Sequence, residues 1–222
     1  MEQKGVVVLE EAFITIKPVI SMSKYEEIWP WLIKAGDTAV VFTSQYAVNT
    51  VDKYLHGGDA FYSPEQWMAF CLNGTTKEQV VQLLSEEQII DTAPNATELA
   101  AKIIANGQFK QVVFFCGNQR MGTIPNLLKE ADIEVVEIVV YENIATPIRI
   151  NDAFDAALFF SPSSVKSFFS INTLPDNAAC FAIGSTTATA ISNYTGNKVI
   201  TSEEPTQEAI LNTAWRYLQQ ID

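Results

Sequence analysis

Leu158-Phe159-Phe160-Ser161-Pro162-Ser163-Ser164-Val165-Lys166-Ser167-Phe168-Phe169 decides how this chain folds. An apolar run, a Ser/Pro turn and then apolar residues at helical spacing describe a buried strand that breaks at Ser161. It restarts at once as a helix capped by Ser or Pro. Val40-Val41-Phe42-Thr43-Ser44-Gln45-Tyr46-Ala47-Val48 says nearly the same thing, 117 positions earlier counted from Ser161 to Ser44. Gly74-Thr75-Thr76 returns as Gly184-Ser185-Thr186 after 110 positions, and Ala96-Thr97-Glu98 as Pro205-Thr206-Gln207 after 109. Matched landmarks in one order at a nearly constant offset indicate an internal duplication. The period is too long for a solenoid and fits two copies of one α/β half-molecule, with a ligand expected where two such edges face each other.

The 222 residues suit two domains of roughly 100 residues each. With 48% hydrophobic and 18% charged residues, the composition is that of a globular protein with sizeable cores. Fourteen basic residues stand against 26 acidic, a formal net charge of -12, and no Lys/Arg cluster occurs. Nucleic-acid binding, which needs a basic stripe along the phosphates, is therefore not expected. Cys71, Cys116 and Cys180 lie in apolar strand-like runs without CxxC spacing and read as buried free thiols in a reducing compartment. His56 is the sole histidine, in an expected loop beside Gly57-Gly58, so neither a zinc site nor a Ser-His-Asp triad is expected. The chain shows no apolar run of about 18 residues or more and no signal peptide, which points to a soluble cytoplasmic protein without membrane attachment.

Val/Ile-rich β-like runs are expected at Gly5 to Leu9 and Ala12 to Lys17, and a helix capped by Ser23 over Lys24 to Lys34. Strands then alternate with helices linked by turns of a few residues. The strands are Thr38 to Phe42, Trp67 to Leu72, Glu87 to Asp91 and Gln111 to Cys116. Their helices are Gln45 to Leu55, Lys77 to Leu84, Thr97 to Asn106 and a last one ending near Ala131. This pattern predicts parallel sheets covered on both faces. Ile133 to Tyr141, continuing to Ile150, is too long for a short core strand and reads as crossing to a second domain. With Ala12 to Lys17 returning, it would form a two-stranded β ladder. The domains expected are 18–141, inserted, and 1–17 plus 142–222, discontinuous. The second half repeats the plan as Ala156 to Phe160, Ser163 to Ser170, Ala178 to Ile183, Ser185 to Asn193, Lys198 to Ile200 and Thr206 to Gln220.

Five turns fall where a strand hands over to a helix: Thr43-Ser44, Gly74-Thr75-Thr76, Gly117-Asn118-Gln119-Arg120, Ser161-Pro162-Ser163 and Gly184-Ser185-Thr186-Thr187. Free N–H groups with hydroxyls make anion sites there, worth about 0.3–1 kcal/mol per charge and about 2 when partly buried. Each alone is equally an ordinary N-cap. Together they suggest a ligand bearing several carboxylates or phosphates, held by main chain. No Walker loop or GxGxxG occurs, so nucleotide cofactor signals are absent. Arg120 either pairs a ligand carboxylate or is a solvated surface arginine. Tyr141, at the proposed crossing, either packs beside the ribbon or acts as a proton donor, since its reference pKa of about 10 keeps it protonated at neutral pH.

These residues resemble the uroporphyrinogen-III synthase family. The resemblance is carried by Phe42-Thr43-Ser44 with Ala47-Val48, Gly117 to Arg120 leading to Leu127-Leu128, and Val139-Val140-Tyr141. Phe160-Ser161-Pro162-Ser163 with Val165, and Ile183-Gly184 with Thr186-Thr187-Ala188, complete it. It implies two flavodoxin-like parallel-sheet domains joined by the ladder and a cofactor-free monomer. The substrate would be a linear tetrapyrrole polycarboxylate, hydroxymethylbilane, bound in the cleft between the domains. The implied reaction closes it with inversion of the last ring and loss of water. Tyr141 would be the catalytic acid that helps expel the hydroxyl to give an azafulvene, followed by a spiro intermediate. Thr43, Ser44, Gly74, Thr75, Thr76, Gly117, Asn118, Arg120, Ser161, Ser163, Gly184, Thr186 and Thr187 would hold carboxylates largely through backbone amides. The family opens with a strand, a Thr-Arg-Pro-like turn and a helix, whereas Met1-Glu2-Gln3-Lys4-Gly5 matches the end of that helix, so one strand-helix unit is expected to be missing. The rival readings are a non-catalytic two-domain binding or regulatory protein, and an exported solute receptor, which would need a signal peptide.

Overall fold

The computed structural model of the chain describes residues 6–19, 26, 30, 38–56 and 64–220. The chain divides into two compact units, one of residues 16–143 and the other of residues 1–15 with 144–222.

The larger unit is built on a sheet of six strands: β1 (Ile14–Pro18), β2 (Thr38–Phe42), β3 (Ala69–Leu72), β4 (Ile89–Ala93), β5 (Gln111–Gly117) and β6 (Glu134–Ala145). Their order across the sheet is β1-β6-β5-β2-β3-β4. The β4-β3-β2-β5-β6 pairings are all parallel. At β1 the direction reverses: Val19 N–H donates to Val140 O, and Thr146 N–H to Phe13 O, so numbers rise on one strand as they fall on the other. The sheet is therefore mixed, and the boundary between the units falls within both β1 and β6.

All of β5 is buried, as parallel strands with both faces covered must be. Alternation sorts its side chains. Val113 and Phe115 join Val40, Phe42, Ala69 and Cys71 on one face, under Val48 and Val51 of α1 (Gln45–His56) and Val80 of α2 (Thr75–Leu83). Val112, Phe114 and Cys116 join Ala39, Val41 and Phe70 on the other, under Leu99 and Ile103 of α3 (Ala96–Asn106) and Ile124 and Leu128 of α4 (Thr123–Glu130). Asn95 caps α3 by accepting the Glu98 N–H, and Gly107, at φ 67°, ends it in the left-handed conformation.

The smaller unit carries a parallel sheet β7-β8-β9 made of Ala156–Phe159, Ala179–Ala182 and Val199–Thr201. α5 (Pro162–Phe169) and α6 (Ser185–Ser192) cover one face through Val165, Phe168 and Ile191, and α7 (Gln207–Leu218) covers the other through Ile210 and Ala214. Two helices on the first face and the third on the second repeat the arrangement of α1, α2 and α3. The duplicated landmarks acquire structural meaning: Gly74 and Gly184 are the N-caps of α2 and α6. The third pair needs a shift, because the residue matching the cap Thr206 is Asn95 rather than Thr97.

Residues 6–9, expected in a strand, lie outside any strand, and Val7 is 96% exposed, because they have no sheet neighbour among the described residues. His56, expected in a loop, is the last residue of α1. The helix expected over 24–34 lies outside the described residues apart from positions 26 and 30. All three cysteines are buried and outside any disulfide, and burial pushes the Cys71 and Cys180 thiols up to about 11, so both stay protonated and poor nucleophiles at neutral pH. Among the described residues no helix is long and apolar enough to cross a membrane, and no group of three His, Cys, Asp or Glu stands where it could hold a metal ion.

Phe115 is the centre of the α1/α2 face, with its ring 5.2 Å from Phe42 and 5.7 Å from Trp67 between centroids. Phe115→Ala is expected to cost about 3–5 kcal/mol in urea unfolding through the cavity it leaves. A loss under about 1 kcal/mol would contradict this packing.

Candidate functional site

The chain leaves β2, winds β3 and β4 to one side, then returns to place β5 and β6 on the other. The order reverses between β2 and β5, and ligands of open α/β sheets bind beyond the strand ends at such a point. The residues just past those ends are Thr43 and Ser44 after β2, and Asn118 after Gly117 closes β5.

Tyr141 reaches this place through an irregularity in β6. Cys116 pairs with Val139, but Gly117 pairs with Tyr141, so Val140 is an extra residue on β6. Strict alternation would send Tyr141 to the face of Val135 and Val139, under α3 and α4. The bulge turns it instead to the face of Ile138 and Val140, under α1. There its hydroxyl donates to Ser44 Oγ across 3.1 Å, joining residues 97 positions apart.

To make that bond the ring must cross β5, and it does so over Gly117. A Cβ on Gly117 would stand 2.5 Å from Tyr141 Cε2 and Cζ and 2.8 Å from its hydroxyl oxygen. The missing side chain is what gives the phenol its seat. Burial raises the Tyr141 pKa above the ordinary tyrosine value, while the bond to Ser44 pulls it down. The phenol therefore keeps its proton through the neutral range.

Ser44 opens α1. Its carbonyl accepts the Ala47 and Val48 N–H groups, and its hydroxyl oxygen accepts the Tyr46 N–H at 3.2 Å. The Tyr46 ring packs on Tyr141 at 5.9 Å between centroids, tilted by 56°, and is 46% exposed. Beside them lies a groove of about 270 Å³ lined by Thr43, Ser44, Gln45, Tyr46, Asn73, Thr75 and Thr76. Every lining side chain is polar and uncharged. In a chain of net charge -12, none of these described lining residues is a carboxylate.

The expected turns behave differently from one another. Gly74 sits at φ 70° and caps α2 without a side chain, so the first-turn amides of Thr75 and Thr76 have no side-chain cap. Thr76 is 8% exposed, while Thr75 is exposed. Gly184 caps α6 in the same way, with Thr186 exposed and Thr187 buried. At Ser161 the donors are already used: its hydroxyl accepts the Ser164 N–H and bonds the Ser163 and Ser164 hydroxyls. The turn after β5 is likewise spent. Asn118 N–H donates to Tyr141 O, Arg120 N–H to Gly117 O, and Asn118 Oδ1 accepts the Asn143 N–H, locking β5 to β6. Arg120, the expected carboxylate partner, pairs through Nε with Glu137 of β6, which raises its pKa further.

Thr43, Ser44, Thr75, Thr76, Gly117 and Tyr141 are thus gathered at one edge of the larger unit. Asn118 and Arg120 lie on the turn after β5 and are tied to β6, and Ser161, Ser163, Gly184, Thr186 and Thr187 belong to the smaller unit. Gln45, Tyr46 and Asn73 line the groove without having been singled out by sequence. Tyr46 had a readable signal, since the second residue of a helix opening at a strand end must lie near any ligand there. A second groove, of about 410 Å³, runs past Arg149, Phe169 and Thr173 in the smaller unit. Its Asn172 is occupied structurally: Nδ2 donates to Ile148 O and Phe168 O, and Oδ1 accepts the Ile150 N–H.

The family described as "Uroporphyrinogen-III synthase HemD" matches residues 1–212. The chain is 28% identical over 206 residues to the uroporphyrinogen-III synthase of Chlorobaculum parvum, covering 86% of this chain and 81% of that one. The crystal structure of uroporphyrinogen-III synthetase from Helicobacter pylori superposes with a TM-score of 0.68 at 17% identity, over 92% of this chain and 91% of the other. A mutant uroporphyrinogen III synthase from Thermus thermophilus gives 0.65 at 16% identity, over 99% and 92%. These two share the fold.

Gly117→Ala is expected to drive the Tyr141 ring off Ser44 and to destabilise by about 1–3 kcal/mol through overpacking. Gly184→Ala, whose added Cβ would meet nothing within 4 Å, is expected to cost under about 1 kcal/mol. Urea unfolding of both variants checks the contrast, and equal costs would contradict the seat at Gly117.

Proposed function

The chain belongs to the uroporphyrinogen-III synthase family, and on that premise we propose that the groove beyond β2 and β5 is where the linear tetrapyrrole reacts, with Tyr141 as the source of the proton. The enzyme is a cyclising hydro-lyase of tetrapyrrole biosynthesis, closing hydroxymethylbilane to uroporphyrinogen III with inversion of the last ring and loss of water. The observation that carries the site is the Tyr141 phenol, protonated and donating to Ser44, which lines a groove of uncharged polar side chains.

The chemistry asks two things of such a site. A hydroxyl must leave carbon, which a positioned acid accelerates by neutralising the charge growing on oxygen. Carboxylates must be held without cations competing for the acidic surface, which amides at helix starts accomplish. The uncapped first turn of α2 and the Thr43 and Thr75 hydroxyls suit the second task in this unit. Gly184 and Thr186 offer an equivalent turn in the smaller unit. On this reading Thr76 and Thr187, both largely buried, contribute mainly through their backbone, and Ser161 with Ser163 contributes least because its hydroxyls are engaged. We read each unit as flavodoxin-like and the enzyme as a cytoplasmic monomer. An azafulvene formed on loss of the hydroxyl, and a spiro intermediate after it, complete the sequence of steps.

The test is to supply hydroxymethylbilane, oxidise the products and separate type I from type III uroporphyrin by chromatography. Type III in excess of the spontaneous type I is expected, and type I alone would contradict the reading. Tyr141→Phe is expected to slow type III formation roughly ten- to a hundredfold, a modest instance of general-acid assistance. An unchanged rate would remove Tyr141 from the chemistry.

A further inference from the structure

Ser44, and not Tyr141, is among the residues that line the groove. The groove is lined by Ser44 and Tyr46, with Tyr141 behind them, half-buried over Gly117. Ser44 Oγ has two lone pairs and one proton. One lone pair accepts the Tyr46 N–H at 3.2 Å, and the other accepts the Tyr141 hydroxyl at 3.1 Å. With both filled, the only further hydrogen bond that Ser44 can make is as a donor.

We propose that Ser44 is the residue that hands the proton to the substrate, and that Tyr141 acts through it by replacing that proton. The inference rests on the reading of this groove as the reaction site. In the step, the carbon–oxygen bond of the terminal hydroxymethyl group breaks and its electron pair leaves on oxygen. That oxygen takes the Ser44 proton and departs as water. Ser44 takes the Tyr141 proton, leaving a tyrosinate, and the ring nitrogen's lone pair satisfies the carbon left behind as an azafulvenium. When ring closure later expels a proton from the attacked pyrrole carbon, it returns along the same two hydroxyls to Tyr141. No proton is gained or lost overall, and water is the sole leaving group.

The arrangement also accounts for the seat at Gly117 and the bulge at Val140. Both serve to bring a phenol to the back of a serine that is otherwise only a helix cap. An unassisted serine hydroxyl is a weak acid, and a phenol donating to its oxygen makes it a better one, because the serine need never carry the negative charge.

The experiment measures kcat for type III formation in Ser44→Ala, Ser44→Asp, Ser44→Thr, Tyr141→Phe and Ser44→Ala/Tyr141→Phe, with thermal unfolding of each. Ser44→Ala is expected to lose as much rate as Tyr141→Phe, and the double variant no more than about twofold beyond the slower single, because one relay is broken in all three. Ser44→Thr keeps the hydroxyl and recovers most of the rate. Ser44→Asp keeps a strong N-cap but has no proton to give at neutral pH, so it is expected to be folded and as slow as Ser44→Ala. A folded Ser44→Ala or Ser44→Asp enzyme with wild-type kcat, or losses that multiply in the double variant, would overturn the relay. If Tyr141→Phe alone is slow, the site stands and only the relay fails. If neither Ser44→Ala nor Tyr141→Phe matters, the site itself is elsewhere and both proposals fall.

Discussion

The larger unit depends on the parallel pairing of β2 with β5, five residue pairs from Thr38 opposite Gln111 to Phe42 opposite Phe115. Both strands are buried on both faces, so neither can slip by one residue without exchanging Phe42 and Phe115 for Val41 and Phe114. That fixed register sets where the two strands end. Ser44 and Gly117 come to lie near each other because Phe42 and Phe115 are stacked in the core beneath them. Core and proposed site are therefore one construction: the aromatic layer fixes the level of the sheet's edge, and the groups proposed to react stand on that edge.

From this edge two departures from regular structure make the site. One is Gly117 itself, where a residue with any side chain would collide with the Tyr141 ring. The other is the extra residue in β6, which reverses which face Tyr141 points to. Neither adds to the sheet's stability. A bulge gives up ladder bonds and a glycine in a strand packs nothing, and the compensation comes from the bond to Ser44, the contact with Tyr46 and the tie of Asn118 to Tyr141 and Asn143. Rules of local regularity are broken where the phenol must be placed, which is where function is expected to break them.

Much of the architecture was readable. Apolar runs of the right length bounded by Ser, Thr and Gly placed each parallel strand to within a few residues, because buried strands are marked by composition at every position. Val7, Val8 and Leu9 misled for the same reason: they have strand-forming side chains but no neighbour among the described residues to pair with. The turns after the strands were visible as caps, and they differ in whether the cap is spent, as at Ser161, or left open, as at Gly74. That difference lies in whether the cap residue has an acceptor side chain, and glycine, which has none, was the signal available. The pairing of Arg120 with Glu137 was not legible, because Glu137 lies 17 positions on, in β6, and only the β5–β6 register brings them together. Tyr141 could be nominated from its place in the exit strand. Its contact with Ser44 could not, since it depends on a bulge that leaves no mark in the pattern Ile138-Val139-Val140-Tyr141.

The proposal that substrate reacts at the edge formed by Ser44, Tyr46 and Tyr141 can be tested by a crystal structure with an unreactive linear tetrapyrrole that keeps a terminal hydroxyl. That hydroxyl is expected within about 2.7–3.2 Å of Ser44 Oγ, with carboxylates on the first turn of α2. A terminal ring bound away from this groove, with the Tyr141 to Ser44 pair facing no ligand, would contradict it.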